Sequence, residues 1–190
     1  MNGSILDSVI IYLTEEEYLE GERHVEVRHE LVGWQAWAMA GASGEHNAIS
    51  LNLASALNAR LRGKRCRTFV HDMKVRLNWQ GTPSFFYTDV LVTCDSRDVE
   101  RYFKQFPTVV IDVLSPETER FDRREKLMAY ASLDSTQEYV LVAQDKAEMT
   151  LHRRANGWRP EVISGVEHSL ELRSLEFSLP LASVCEDVKV

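Results

Sequence analysis

Between residues 45 and 142 the apolar positions of this 190-residue chain change period three times. From about Glu45 to Leu61, after the loop Gly41-Ala42-Ser43-Gly44, the residues Ile49, Leu53, Leu57 and Leu61 recur every fourth position, with Ala54 and Ala56 beside them. That spacing predicts an amphipathic helix. Arg67 to Leu77, Phe86 to Thr93 and Val109 to Leu114 are short runs rich in β-branched and aromatic residues, which predict strands. The segment from Asp122 to Ala131 opens on a box-like pair, Asp122 and Glu125, and reads as a second helix. Glu138 to Val142 reads as a buried strand. Strand, strand, helix, strand predicts a mixed sheet with a crossover helix, covered elsewhere by the 45–61 helix.

The flanks are less regular. Thr14-Glu15-Glu16-Glu17 has the form of a capping box and predicts a short helix. Val25 to Val32 alternates like a half-buried strand, and Trp34 to Met39 continues it as the second arm of a hairpin around Gly33. Met149 to Arg153, Trp158 to Ile163 and Ser169 to Leu172 predict shorter strands, and Leu175, Phe177, Leu179 and Leu181 alternate before an acidic tail. The expected class is α/β or α+β, with one central mixed β-sheet flanked by helices, extra strands at the C-terminus, and a single domain over residues 1–190.

Composition changes this picture little. A hydrophobic fraction of 44% with 27% charged residues is that of a globular protein. No apolar stretch approaches membrane-spanning length. Cys66, Cys94 and Cys185 are too few and too scattered for a disulfide scaffold or a zinc site, and read as reduced thiols of a cytoplasmic protein. The net charge of −7 argues against a protein that coats nucleic acid, but it hides a local basic stretch, Arg60-Leu61-Arg62-Gly63-Lys64-Arg65-Cys66-Arg67. Arg62, Lys64 and Arg65 are either a solvated turn or a phosphate-binding patch.

Two carboxylates stand out. Asp112 interrupts Val109-Val110-Ile111-Asp112-Val113-Leu114, and Asp89 interrupts Phe85-Phe86-Tyr87-Thr88-Asp89-Val90-Leu91-Val92. An ionised carboxylate in such a run costs several kcal/mol, roughly, unless a metal, a cation or hydrogen bonds compensate it. A sheet edge, a bulge or a set of backbone amides would serve each Asp alone. If their strands are neighbours, the two can share Mg²⁺, which takes one or two carboxylates and completes its shell with other oxygens. The Val113 carbonyl is a natural further ligand. Lys126 can bring an ammonium to the same point, or simply pair with Asp122 at i,i+4. Metal plus ammonium is what phosphodiester hydrolysis needs.

With these residues in view, the chain resembles the Uma-type endonucleases, a bacterial family of restriction-endonuclease-like proteins with the PD-(D/E)xK nuclease fold. The matching stretches are His29-Glu30-Leu31-Val32, Met39 to Asn47, Tyr87-Thr88-Asp89-Val90, Val113 to Thr118 with Asp122 and Lys126, and Gln137 to Val142. The resemblance implies a Mg²⁺- (or Mn²⁺-) dependent endonuclease acting on DNA, working as a homodimer with Trp34, Trp37 or the C-terminal strands as contact surfaces. It assigns Asp89, Asp112 and Lys126 to the catalytic set, with Lys126 moved onto the helix because Leu114 occupies the position two residues after Asp112. Glu30 matches a further acid directed at the site; a salt bridge to Arg28 or to the Arg60–Arg67 stretch is its structural alternative. Three positions depart from the family pattern. Thr88 stands for a proline, Asp112 for a Glu with its oxygens about 1.5 Å further out, and Gly33-Trp34-Gln35 for an acidic run. The last two also admit a catalytically weakened module that binds nucleic acid or protein. His46, at the start of the 45–61 helix, reads as a capping or packing residue ahead of a phosphate contact. His71-Asp72 carries little weight, and the four tryptophans read as core or interface anchors rather than base-stacking platforms.

Overall fold

The computed structural model describes residues 12–39, 41–116 and 118–188. Ala40 and Glu117, both within the family-like stretches, lie outside the described residues. The capping box forms as expected: the Thr14 side chain accepts from the Glu17 amide, Glu17 reaches back to the Thr14 amide, and α1 (Glu15–Gly21) follows. β1 (His29–Val32) and β2 (Gln35–Ala38) make the predicted hairpin around Gly33-Trp34. The strand expected from Val25 is shorter than its alternation, because Val25 and Val27 find no partner strand and are exposed.

α2 (Gly44–Leu61) is capped by Ser43, which accepts from the His46 amide. Its buried residues Ile49, Leu53, Leu57 and Leu61 are the four of the predicted stripe.

The segment 67–93 departs most from expectation. The run from Arg67 to Leu77 is two strands, β3 (Arg67–Val70) and β4 (Lys74–Trp79). The run from Phe86 to Thr93 also divides, between β5 (Thr82–Tyr87) and β6 (Val90–Thr93). β4 pairs with β5 across the turn at Gln80-Gly81, and β3 pairs with β6. Together they form one long antiparallel hairpin, bent at residues 71–73 and 88–89, whose halves belong to different sheets. Asp89 therefore lies in the bend rather than inside a strand.

With β7 (Phe103–Lys104), the outer half builds a five-stranded sheet in the order β2-β1-β5-β4-β7. The inner half joins a six-stranded sheet, β11-β10-β9-β8-β6-β3, whose further members are β8 (Pro107–Val113), β9 (Glu138–Val142), β10 (Glu148–Arg153) and β11 (Pro160–Ser164). β8 and β9 are parallel, so this is the predicted mixed sheet with a crossover helix. The crossover, α3 (residues 119–131), has α-helical ends and a π-helical turn at Asp122–Lys126. Asp122 thus sits inside the helix instead of opening it.

Alternation in β8 sorts the core. Val109, Ile111 and Val113 pack toward α2, while Val110 and Leu114 pack with Ala129, Tyr130 and Tyr139 on the α3 side. Asp112 shares that second face. β12 (Ser169–Leu172), β13 (Phe177–Pro180) and α4 (Leu181–Val184) close the α2 side with Leu170, Leu172, Phe177, Leu181 and Val184.

The thiols differ from expectation. Cys66 and Cys94 form a disulfide, with Cα atoms 4.0 Å apart, and Cys185 is free. The register of β3 on β6 pairs Arg67 with Thr93, which brings the next residue outward on each strand face to face. Among the described residues, no helix is long and apolar enough to cross a membrane.

Glu138 and Arg153 are both buried where the C-terminal strands dock. Glu138 accepts from Arg153 Nε at 3.3 Å and from the Arg173 and Ser174 amides at 2.9 and 3.2 Å, while Arg153 also donates to the Glu171 carbonyl at 2.8 Å. Removing the acid leaves the buried Arg153 guanidinium with Glu161, at the surface, as its remaining acidic partner and takes the acceptor from the Arg173 and Ser174 amides. Glu138→Ala is expected to destabilise the protein by about 3 kcal/mol, read from the shift in its urea unfolding midpoint.

Candidate active site

The bend in the long hairpin supplies the site with backbone as well as side chains. Tyr87 ends β5, so its peptide groups are free of the next strand. Its amide donates to Glu30 Oε1 at 3.1 Å, and its carbonyl accepts from Lys126 Nζ at 3.1 Å. Lys126 Nζ also lies 3.0 Å from Glu30 Oε1, 3.2 Å from Asp122 Oδ1 and 3.8 Å from Asp112 Oδ2. The π turn places both Asp122 and Lys126 on the buried side of α3. The i,i+4 pair with Asp122 and the approach to Asp112 thus coexist. Glu30 pairs with this lysine and with neither Arg28 nor the Arg60–Arg67 stretch. Arg28 is held instead by Asp72 at 3.1 Å.

Asp112 is 3% exposed. Its Oδ2 accepts from the Tyr139 hydroxyl at 2.8 Å, which orients the carboxylate from the next strand. Asp89 is anchored by the Val113 amide, which donates to Oδ2 at 2.7 Å, and by His46, whose Nε2 stands 3.2 Å from the same oxygen. Val113 therefore links the two acids, following Asp112 in the chain and bonding to Asp89 through its amide.

His46 belongs to this group, and the helix cap falls to Ser43. Its buried Nδ1 has no protein partner among the described residues. The sequence signals for His46 were its place directly after Gly44-Glu45 at a helix start and its position inside the family-like stretch Met39 to Asn47.

Burial is the main electrostatic fact here. It pushes the Asp112 carboxyl up to about 7, against the pull of Lys126, with Asp122 and Asp89 adding like charge. Burial also raises Glu30, again opposed by Lys126. Burial disfavours the Lys126 ammonium, but Asp112, Glu30 and Asp122 more than offset it and hold the group charged. Burial opposes charge on His46 too, and is outweighed by its contact with Asp89 and the nearby Asp112.

These residues line one cleft of about 680 Å³, walled by Trp37, Met39, Ser43, His71, Ser115 and Phe121 among others. Four carboxylates, Glu30, Asp89, Asp112 and Asp122, gather around Lys126 and His46, while the cleft's further charged residues, Arg28 and Asp72, pair with each other. That excess of buried negative charge fits a divalent cation. The donor set of two acids with a neighbouring backbone carbonyl suits Mg²⁺ or Mn²⁺. Among the described residues, no group of three His, Cys, Asp or Glu side chains is arranged to enclose a metal, as a zinc centre would require.

Behind this cluster lies a second one that the sequence did not single out. Glu22 and Lys74 are buried, and both bind the Tyr87 hydroxyl, at 2.8 and 3.2 Å. Glu22 also meets His29 Nδ1 at 3.0 Å. The residues flanking Glu30 and Lys126 are thereby held from the rear. Arg62, Lys64 and Arg65 lie elsewhere: they are exposed at the far end of α2 from His46, roughly 24 Å away at 1.5 Å per residue.

The family model described as "Putative restriction endonuclease" (Uma2) matches residues 15–182, and the chain belongs to that family. An uncharacterized protein of Synechocystis sp. (strain ATCC 27184 / PCC 6803 / Kazusa), slr1290, is 34% identical over 168 residues, covering 87% of each chain. A second uncharacterized protein of that organism, sll1609, is 30% identical over 135 residues, covering 70% of this chain and 75% of its own. In three dimensions the chain is similar to a crystal structure of a putative nuclease belonging to DUF820 from Anabaena variabilis ATCC 29413. The TM-score is 0.73 at 18% identity, covering 92% of this chain and 97% of the other. The fold is the restriction-endonuclease-like one, as the sequence resemblance implied.

The raised Asp112 has a consequence for the metal-free protein. A carboxyl whose folded pKa exceeds its unfolded value of 3.8 favours folding at low pH and opposes it once ionised. In EDTA, stability is expected to fall as pH rises from about 4 through about 7. Asp112→Asn should raise the melting temperature at pH 8, by about 2 kcal/mol of stability, and leave it little changed at pH 4. Thermal melts of both proteins at the two pH values check this.

Proposed function

We propose that the protein is a Mg²⁺- (or Mn²⁺-) dependent endonuclease that hydrolyses DNA phosphodiester bonds. The convergence of Asp89, Asp112, Lys126 and Glu30 on one cleft carries the reading, and membership of a restriction-endonuclease family supports it. Asp89 and Asp112 would hold the cation together with the Val113 carbonyl. When bound, the cation lowers the pKa of a coordinated water and offsets charge on the phosphoryl oxygens.

The chain's own groups do the rest. Lys126, kept charged by its acids, would assist the attacking water and offset negative charge developing on the phosphoryl group. Glu30 and the Tyr87 carbonyl fix the ammonium in place. The Tyr139 hydroxyl fixes the Asp112 carboxylate, and the Val113 amide fixes Asp89. Arg62, Lys64 and Arg65 would meet DNA only where it extends beyond the cleft. The homodimer in this reading uses β11, an edge strand with exposed Val162.

One observation favours a second reading. Asp112 is shorter than the family's Glu and already engaged by Tyr139, which suits a module of the same fold that binds nucleic acid or protein without cutting. Such a module binds without a divalent ion, and its affinity for nucleic acid falls with salt.

Plasmid and oligonucleotide cleavage in Mg²⁺ or Mn²⁺ separates the two. Cleavage by the wild type, lowered at least about a hundredfold by Asp89→Ala and by Lys126→Ala, is the expected outcome. No cleavage, with Mn²⁺ bound equally by wild type and Asp89→Ala, ends the enzymatic reading.

A further inference from the structure

Trp37 is the least expected residue in the cleft. The sequence placed it with core and interface anchors, yet it is 58% exposed. It lies on β2, the edge of the five-stranded sheet, directly opposite Glu30 in the antiparallel register. Cross-strand partners share a face of the sheet, with Cβ atoms about 4.5–5.5 Å apart. The Glu30 side chain turns into the cleft to meet Lys126, so the indole leaves the sheet on the same side, and it lines the same cleft. Met39, two residues on and also part-exposed, continues this apolar wall. A large exposed aromatic group one strand from a candidate catalytic acid is positioned for substrate.

Charge points the same way. Among the described residues, the cleft's permanent cations are Arg28, paired with Asp72, and Lys126, paired with Glu30 and Asp122. The exposed basic stretch at Arg62–Arg65 lies at the other end of α2. The cleft therefore lacks the unpaired positive rim by which proteins track the phosphates of a duplex. Its evident means of attraction besides a metal is stacking. An indole stacks only on a free base face, and in a duplex both faces of each internal base are covered by neighbours. Free faces occur in single strands, at frayed ends and on extruded nucleotides.

We propose that the cleft takes single-stranded or unpaired DNA, with a base next to the scissile phosphate stacked on Trp37. The assignment of the phosphate to this site rests on the nuclease reading above, whereas the stacking contact is testable without chemistry. The probe is a fluorescein-labelled, mixed-sequence oligonucleotide of about 20 nucleotides, a length exceeding common single-strand sites, alone and annealed to its complement. Binding is read by anisotropy with Ca²⁺ replacing Mg²⁺.

Wild type is expected to bind the single strand at least about tenfold more tightly than the duplex. Trp37→Ala should lose about tenfold for the single strand and little for the duplex, Trp37→Phe should keep most of the affinity, and Trp34→Ala should match wild type. Equal affinity for the two probes, an equal loss on both with Trp37→Ala, or the same loss from Trp34→Ala overturns the proposal. So does a Trp37→Ala effect that appears only as dissociation of a dimer. Plasmid cleavage judges the nuclease reading separately: an inactive protein that still shows Trp37-dependent binding sinks that reading alone, and an active one that ignores strandedness sinks only this proposal.

Discussion

A single buried ammonium organises this molecule. Lys126 brings together β1 through Glu30, β5 through the Tyr87 carbonyl, β8 through Asp112 and its own helix through Asp122. Taking these groups out of water is expensive, and each is tolerable only because the others are present. Removing the lysine would leave three acids packed together. Removing the acids would leave a buried cation. This mutual dependence ties the two large sheets and the crossover helix to one point, and that point is the floor of the cleft.

The bent hairpin makes such a point possible. A continuous strand from Thr82 to Thr93 would spend the backbone groups of Tyr87 and Asp89 on ladder hydrogen bonds. By changing sheets at residues 88–89, the chain frees the Tyr87 amide for Glu30 and its carbonyl for Lys126, and exposes Asp89 to Val113 and His46. The hairpin's other arm bends in step, with the His71 amide bonded to the Asp89 carbonyl. His71 takes a left-handed backbone, φ 41°, at this bend, a modest local strain of the kind that gathers at functional sites. The rear network of Glu22, Lys74 and the Tyr87 hydroxyl fixes the freed strand end.

The cleft also shows where stability and chemistry diverge. Asp112 occupies a position that β8 otherwise gives to apolar residues facing α3, and burial pushes its carboxyl up to about 7. An apolar side chain there would pack with Val110 and Leu114 and avoid burying a carboxylate, but it would take one acid from Lys126 and an acceptor from the Tyr139 hydroxyl. Retaining an acid at that cost makes sense if the site receives compensating positive charge in use. Trp37 is the surface counterpart, an exposed indole that the β1–β2 hairpin does not need for its own packing.

Much of the fold could be read from local pattern. The stripe from Ile49 to Leu61, the capping box at Thr14 and the apolar runs of β8 and β9 each carry their own periodic or capping signal, and each appears where it was read. Asp89 and Asp112 were visible as charges in apolar runs, and Lys126 and Glu30 through a family resemblance. The division of 67–93 between two sheets was not visible, because a strand that changes sheets keeps the same β-branched composition on both sides of the bend. Nor were the roles of His46, Tyr139 and Tyr87, or the Cys66–Cys94 bridge, since each depends on a register between strands or a helix end distant in sequence. Sequence by itself determined which residues are costly to bury, because that cost follows from side-chain chemistry and local hydrophobicity. Only the tertiary structure decided which charges offset which, and which indole faces the cleft, because pairing is a property of distance and distances are set by contacts between strands and helices far apart in the chain, such as Asp89 with Val113, Tyr87 with Lys126 and Glu30 with Lys126.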